Sequence, residues 1–136
     1  MAKRKIRDIE GIGPVGASKL AEAGITDTDA FLKAACSKPG RKKLAEQTGL
    51  REPQILTWAN MCDLFRINGV AGQYAELLVA AGVDTVKELA TRRADNLAAK
   101  MAEVNQAKKL TRQVPAQGQI AKWISEAQEL PAIITH

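Results

Sequence analysis

Apolar residues recur every three or four positions through most of this chain, which is the spacing of one face of a helix. The clearest run covers residues 53–65, where Ile55, Trp58, Cys62 and Phe65 follow one another at that interval. No segment alternates apolar and polar residues in the manner of a strand, with the last few residues as the one ambiguous stretch. The pattern therefore predicts an all-α fold.

Glycine, proline and polar residues divide this helical pattern into segments. Gly24 and Gly82 are expected to end helices in the left-handed conformation. Pro39-Gly40 is expected to break a helix, and Asn105 to end a short one. The predicted helices cover residues 14–23, 28–35, 41–47, 53–65, 73–81, 86–90, 97–104 and 115–130, followed by a tail at 131–136.

Two stretches of the chain are nearly the same. Residues 9–25 read IEGIGPVGASKLAEAGI and residues 67–83 read INGVAGQYAELLVAAGV, with Gly69 lying 58 positions after Gly11. Trp123 follows Trp58 by 65 positions, so the second copy carries seven additional residues before its last helix. Such a repeat predicts two helical units, 1–66 and 67–136, that share a core as one compact domain with pseudo-twofold character.

The start of each copy resembles the helix-hairpin-helix motif, in which a tight glycine-bearing turn joins two helices. Gly11-Ile12-Gly13, Ala17 and Leu20 lie on positions typical of the motif, and Gly24-Ile25 closes it. Gly69-Val70-Ala71 begins a looser second copy. The resemblance implies that the all-α fold is built of tandem helix-hairpin-helix repeats.

Over nearly its whole length the chain resembles a bacterial family of domains of unknown function built of such tandem repeats. The two tryptophan-bearing helices and the segment LAAKMAEVNQAKKL carry this resemblance. Proteins that share the motif include parts of DNA ligases, DNA polymerases, nucleases and junction-binding proteins. An extrinsic photosystem subunit uses the same motif structurally, so the resemblance implies a fold and leaves the function open.

A hairpin of this kind presents backbone N–H groups at a turn and a helix start, where phosphate binds. In DNA-binding members of the motif a lysine often stands where this chain has Val15, while Ser18 and Lys19 lie one turn onward. The basic arm Lys3-Arg4-Lys5, with Arg7, is expected to fold beside the first hairpin. Contacts of this type position a backbone and read no sequence.

The second hairpin is the poorer phosphate site by the same criteria. Ala71 replaces the second glycine, Gln73 stands at the basic position, and Glu76 adds a negative charge. The predicted nucleic-acid-binding residues are Gly11, Ile12, Gly13, Val15, Gly16, Ser18 and Lys19 of the first hairpin, Lys3, Arg4 and Lys5 of the arm, and, more weakly, Gly69, Val70, Ala71 and Gly72 of the second hairpin.

The sequence thus predicts a small non-enzymatic module that binds the nucleic-acid phosphate backbone without sequence specificity. The net charge of +5 and the pI near 9.4 permit this partner without requiring it. The alternative is a protein-interaction or scaffold subunit in which both hairpins are purely structural. Arg41-Lys42-Lys43 and Lys108-Lys109 with Arg112 fit either a backbone track or a solvated helix face.

Sequence patterns of other chemistry fail on their context. Gly11, Gly13 and Gly16 match the dinucleotide-binding glycine spacing, but no strand precedes them, and Ala17 stands where a P-loop needs lysine. One histidine and two separated cysteines do not make a zinc site. We therefore expect no enzyme activity, no metal, no other cofactor and no small-molecule substrate.

Cys36 and Cys62 lie in apolar helical contexts and are expected to be reduced and buried, with a disulfide between them left as an alternative. No apolar run approaches the roughly 20 residues of a membrane span. The basic N-terminus has no apolar stretch behind it, unlike a signal peptide. We expect a cytoplasmic location and no membrane partner.

Overall fold

The structure, a computed structural model, describes residues 4–9, 11–70 and 72–135. Within these residues the chain forms eight α-helices, one 3-10 turn and no strand, which confirms the all-α prediction. Lys5 and Asp27 form an isolated antiparallel bridge. The elements are the 3-10 turn Ile6–Asp8 and the helices α1 (Gly13–Glu22), α2 (Thr28–Ala35), α3 (Lys38–Thr48), α4 (Glu52–Leu64), α5 (Gly72–Ala80), α6 (Val86–Leu89), α7 (Ala94–Lys108) and α8 (Gln117–Glu129).

Helices α1 and α5, which occupy corresponding places in the two sequence repeats, end in the same way. Gly24 and Gly82 adopt the left-handed backbone conformation, with φ of 84° and 93°, which glycine enters without a steric penalty. Ile25 and Val83 each donate a backbone N–H to the carbonyl five residues earlier, both at 2.9 Å. Both ends are Schellman motifs, and the predicted glycine caps are confirmed.

The helices that follow also begin alike. The Asp27 carboxylate accepts the N–H of Ala30 at 2.7 Å at the start of α2, and the Thr85 hydroxyl accepts the N–H of Glu88 at 3.1 Å at the start of α6. Asp27 and Thr85 lie 58 positions apart, which is the shift of the sequence repeat. Side-chain caps of this kind satisfy first-turn N–H groups, so the repeat extends to hydrogen bonding as well as sequence.

Helices α4 and α8 carry the tryptophans at the centre of each repeat. Helices α2 and α3 pack on α4, while α6 and α7 pack on α8. The buried ring of Trp58 lies 6.5 Å from that of Phe31, and the buried ring of Trp123 lies 5.6 Å from that of Tyr74, in tilted arrangements. Both indoles belong to one buried apolar cluster, which draws residues from both halves of the chain.

Pro39-Gly40 and Asn105 do not bound helices as predicted, and α7 also begins at Ala94, three residues before its predicted start. Pro39-Gly40 does not break the chain but lies in the first turn of α3, because the Ser37 hydroxyl caps that helix and accepts the N–H of Gly40 at 3.1 Å. A proline in a first turn lacks only an N–H that the helix leaves unbonded. Asn105 does not end α7, which continues through Lys108 and ends at Lys109 in the left-handed conformation (φ 53°).

Asp63, near the end of α4, joins the two repeats through its buried carboxylate. One oxygen accepts from the Arg66 guanidinium at 2.7 Å, and the other accepts the N–H of Val86, the first residue of α6, at 2.7 Å. In the first repeat the corresponding N–H, that of Thr28, donates to the Arg4 carbonyl at 2.8 Å. The first N–H of α2 and the first N–H of α6 thus each find an acceptor in a distant part of the chain.

The tail predicted at the C-terminus is docked as a C-terminal strap, residues 131–135, that returns from α8 to the first repeat. The N–H of Thr135 donates to a carbonyl at the end of α2 at 2.8 Å. The buried guanidinium of Arg41 donates to the Thr135 carbonyl at 2.8 Å, and that of Arg66 to the Pro131 carbonyl at 2.7 Å. The strap therefore holds the two repeats together.

Candidate functional site

The basic arm is fixed beside the loop between α1 and α2. The N–H of Thr28 donates to the Arg4 carbonyl at 2.8 Å, and the N–H of Arg4 donates to the Thr28 hydroxyl at 3.1 Å. The N–H of Ile6 donates to the Thr26 carbonyl at 3.3 Å, and Ile6 itself is buried. Because Ile6 anchors the segment in the core, its neighbours Lys5 and Arg7 are left exposed on the surface.

An open groove of about 800 Å³, the arm groove, lies between this arm and α1. Its floor includes the buried side chains of Ile6 and Ile12, and its rim carries the exposed cations of Lys5 and Arg7. No aspartate or glutamate lines it among the residues that the structure describes. The lining residues are Lys5, Ile6, Arg7, Ile12, Gly13, Pro14, Ala17, Ser18, Ala21 and Thr26.

The structure does not place Arg4 at this groove, contrary to its predicted role. The Arg4 guanidinium carbon lies 5.4 Å above the centroid of the Phe65 ring, a cation–π arrangement. Its Nε is buried and has no hydrogen-bond partner among the described residues. Lys3, which was also predicted to bind nucleic acid, lies outside the described residues. Among the described residues of the arm, Lys5 and Arg7 supply the cations that line the groove.

The first turn combines two left-handed glycines with a helix start. Gly11 and Gly13 are exposed, with φ of 84° and 66°. The N–H of Ile12 is not free, because it donates to the Ile9 carbonyl at 3.3 Å, and the Ile12 side chain is buried. This geometry corrects the expectation that the Ile12 N–H faces a ligand.

The N–H groups that α1 leaves unbonded are those of its first turn. Since α1 begins at Gly13 and Pro14 has no N–H, the Gly13 and Val15 N–H groups have no acceptor within the helix. Gly16 does not fit its predicted role as an exposed contact, because it is buried against a tryptophan. A Cβ on Gly16 would lie 3.2 Å from Trp58 Cη2.

Of the remaining residues predicted around the first turn, some line the arm groove and others lie outside it. Ser18 is exposed and lines the arm groove, whereas Lys19 is half-buried and does not. Val15 is 67% exposed at the helix start. Thr26, which also lines the groove, had no site role in the sequence prediction, because backbone contacts between the arm and the α1–α2 loop, such as the hydrogen bond from Ile6 to Thr26, bring it there.

The second turn is less suited to phosphate. Val70 is fully buried, and its N–H donates to the Ile67 carbonyl at 3.3 Å, which removes it from the predicted contact set. The N–H of Asn68 donates to both carboxylate oxygens of Glu126, at 3.3 and 3.2 Å. The protein's own carboxylate therefore lies beside Gly69, where a phosphate would meet like charge.

The two described glycines of the second turn differ in exposure. Gly69 is exposed (φ 88°), and a Cβ on it would lie 3.4 Å from Trp123 Nε1. Gly72 is half-buried at the start of α5, and Ala71 lies outside the described residues. Glu126 was missed by the sequence prediction because it acts from α8, whose corresponding first-repeat position is the buried Met61.

The cysteines are free thiols, of which Cys62 is buried and Cys36 half-buried, so the expectation of burial holds for Cys62 only. Burial, with a smaller contribution from the Asp63 charge, raises the pKa of the Cys62 thiol. A buried, protonated thiol is a poor nucleophile. No group of three or more His, Cys, Asp or Glu side chains able to hold a metal ion occurs in the described part of the chain.

Among the described residues, no helix has both the length and the apolar character that crossing a membrane requires. Searches of curated proteins and of solved structures give no match to the chain. A family model described as Domain of unknown function (DUF4332) matches residues 10–130. Since the match covers most of its length, the chain belongs to this family.

Proposed function

We propose that the protein is a small non-enzymatic module that binds the phosphate backbone of nucleic acid without sequence specificity. In this proposal the chain is a pair of helix-hairpin-helix repeats packed with pseudo-twofold symmetry, and the arm groove of the first repeat is the main contact. Because the motif serves both DNA-binding and purely structural roles, the residues of the site decide the function and the fold alone does not.

The turn chemistry supports the repeat assignment. Gly11 and Gly69 share a left-handed conformation. The N–H groups of Ile12 and Val70 each donate to a carbonyl three residues earlier, both at 3.3 Å. The two turns thus form the same hydrogen bond before helices that end in the same Schellman motif. A duplicated turn–helix unit is the feature that a tandem hairpin arrangement requires.

The observation that carries the proposal is the presence of Lys5 and Arg7 in the same groove as Gly13 and Ser18. The first hairpin lacks a basic residue at Val15, and the arm supplies two cations beside the helix start instead. Neither Lys5 nor Arg7 forms an ion pair with any residue that the structure describes. Unpaired cations next to first-turn N–H groups favour an anionic backbone.

The experiment is a fluorescence-anisotropy titration of a labelled mixed-sequence DNA duplex across a range of salt concentrations. The variant is Lys5→Gln/Arg7→Gln, which removes both rim charges. We expect weaker binding and a salt slope, d log K/d log [salt], that falls in magnitude by about 1.8, or about 0.9 per phosphate contact. A second duplex of different sequence should be weakened equally, because phosphate contacts read no sequence.

Lys33→Gln/Lys38→Gln is the matched control, because both lysines are exposed, neither lines the arm groove, and the pair changes the net charge equally. An equal loss of affinity in this control would show that net charge alone drives binding. Absence of binding by the unmodified protein at physiological salt would reject the nucleic-acid function itself.

A protein-interaction role is the second candidate, and one observation favours it. Val15 is the only large hydrophobic side chain that is extensively exposed among the described residues, and the exposed Pro14 precedes it. Exposed apolar side chains at a turn suit a protein surface better than a phosphate. Retrieval of one stoichiometric protein by the unmodified chain, lost on Val15→Ser substitution, would support this role.

A further inference from the structure

The second repeat contains a loop with no counterpart in the first. Helices α3 and α4 are joined by residues 49–51, whereas α7 and α8 are joined by residues 109–116, termed the insertion loop here. The side-chain amide of Asn105 forms two hydrogen bonds with the backbone of Thr111 in this loop. It donates to the Thr111 carbonyl at 3.0 Å and accepts the Thr111 N–H at 2.9 Å. The loop is therefore fixed in shape by hydrogen bonds.

Lys109 begins the insertion loop in a conformation that normally favours glycine. Its φ is 53°, and its N–H donates to the Asn105 carbonyl at 2.7 Å. In the first repeat the same left-handed position at the end of α3 is filled by Gly49, with φ of 76°. A lysine here is strained relative to glycine. The second repeat thus presents a cation where the first has no side chain.

The insertion loop faces the start of α5 across a groove of about 890 Å³, the loop groove. Lys109 and Arg112 line it from one side, and Gln73 and Tyr74 of the first turn of α5 line it from the other. Both cations are exposed and form no ion pair with a described residue. No carboxylate lines the groove within the described part of the chain.

We infer that the loop groove is a second contact for the phosphate backbone of nucleic acid, an inference that rests on the proposed function. Gln73 stands where the hairpin lacks a basic residue, and Lys109 and Arg112 supply that charge from a distant part of the chain. The ring of Tyr74 packs on Trp123, with centroids 5.6 Å apart, and is half-buried. The described lining of the loop groove contains no fully exposed aromatic ring on which a base could stack, so the contact is with the backbone.

The turn of the second hairpin and the start of α5 differ in the charge that surrounds them. At the turn, the Glu126 carboxylate beside Asn68 repels phosphate. At the start of α5, the two loop cations attract it. The backbone therefore meets the second repeat through the insertion loop, and the residues that bind it differ from those of the first repeat.

The test is the anisotropy titration with the labelled DNA duplex, applied to Lys109→Gln/Arg112→Gln. Both side chains are exposed, so the fold should be retained, and the circular dichroism spectrum and thermal transition check this. We expect weaker binding and a salt slope that falls in magnitude by about 1.8, the value for two lost phosphate contacts. Lys33→Gln/Lys38→Gln again controls for the loss of two charges, since neither lysine lines the loop groove.

The outcomes separate this inference from the proposed function. Loss of affinity in the Lys5/Arg7 variant, with none beyond the control in the Lys109/Arg112 variant, would leave the arm groove in place and reject the loop groove. Loss in both variants supports both contacts. Displacement of the duplex by polyglutamate as effectively as by unlabelled DNA at equal charge concentration would reject a nucleic-acid contact and indicate an acidic protein partner.

Discussion

At the scale of single residues, Val15 distinguishes the two functions considered for the first hairpin. Its side chain is 67% exposed at the start of α1, beside the Gly13 N–H that the helix leaves unbonded. The exposed valine side chain offers no charge to a phosphate at this helix start, whereas a cation in its place would lie next to that phosphate. Changing this one residue therefore tests whether the turn faces nucleic acid.

We predict that Val15→Lys tightens binding of a DNA duplex several-fold and steepens the salt slope by about 0.9, the value for one added phosphate contact. A lysine near a helix N-terminus opposes the helix dipole by about 0.3–1 kcal/mol, so a slightly lower thermal transition is also expected. Ala99→Lys, at an exposed position of α7, adds the same charge elsewhere. Equal gains in both variants would remove the turn from the interface.

Single residues of the site could be predicted from the sequence where their positions depend on local features, and could not where they depend on distant contacts. The glycines and the basic arm are local features, and the sequence places Lys5 and the first turn correctly beside one another. The orientation of Arg4 depends on Phe65, more than 60 positions away, which covers the guanidinium. The Ile12 and Val70 N–H groups are taken up by turn hydrogen bonds that the residue pattern does not display.

At the scale of helices and turns, the predictions succeed where a local signal decides the structure. Gly24 and Gly82 end helices because the left-handed conformation is open to glycine. The prediction that Pro39-Gly40 breaks a helix failed because the Ser37 side chain caps α3, so that both residues lie in the first turn of that helix. The extension of α7 past Asn105 depends on a loop that this side chain itself holds.

Gly40 gives a prediction at this scale. A Cβ on Gly40 would lie 2.3 Å from the carbonyl oxygen of Ala34, so the junction of α2 and α3 would have to open. We expect Gly40→Ala to lower the free energy of unfolding by about 1–3 kcal/mol, measured by urea titration. Gly118→Ala in α8 is the control, because nothing lies within 4 Å of its added Cβ.

Helix propensity makes that control neutral or stabilising by up to about 1 kcal/mol, since alanine is the better helix former. A similar effect in the two glycine variants would show that the α2–α3 junction adjusts freely. Opposite signs would show that the close approach of Gly40 to Ala34 is a requirement of the fold.

At the scale of the whole molecule, two repeats with similar internal bonding are joined by parts that do not repeat. Asp63 links α4 to α6, and the C-terminal strap links α8 to the end of α2. Arg41 and Arg66 are both buried and donate to strap carbonyls, although their positions in the chain belong to the first repeat. The repeat in the sequence predicts the two helical units, but it does not predict the Asp63 link or the C-terminal strap, because neither has a repeated counterpart.

We predict that removing residues 131–136 lowers the free energy of unfolding by about 3–5 kcal/mol. Each of two buried guanidinium groups loses a charge-assisted hydrogen bond, at about 1.5–3 kcal/mol each, and water entering the vacated space offsets part of the loss. Ile134, which is buried, adds its own apolar burial to the effect. Urea-induced unfolding followed by tryptophan fluorescence measures the change, because Trp58 and Trp123 report on one repeat each.

Thr135→Ala is the matched control for this truncation. It removes the γ-methyl group and the hydroxyl of an exposed side chain, whose hydroxyl donates to the Cys36 carbonyl at 3.4 Å, and it keeps both backbone contacts of Thr135. We expect a change within about 0.5 kcal/mol, as for most surface substitutions. A truncated chain as stable as this control would mean that the arginines find other acceptors. Loss of a single cooperative transition on truncation would show that the strap couples the two repeats.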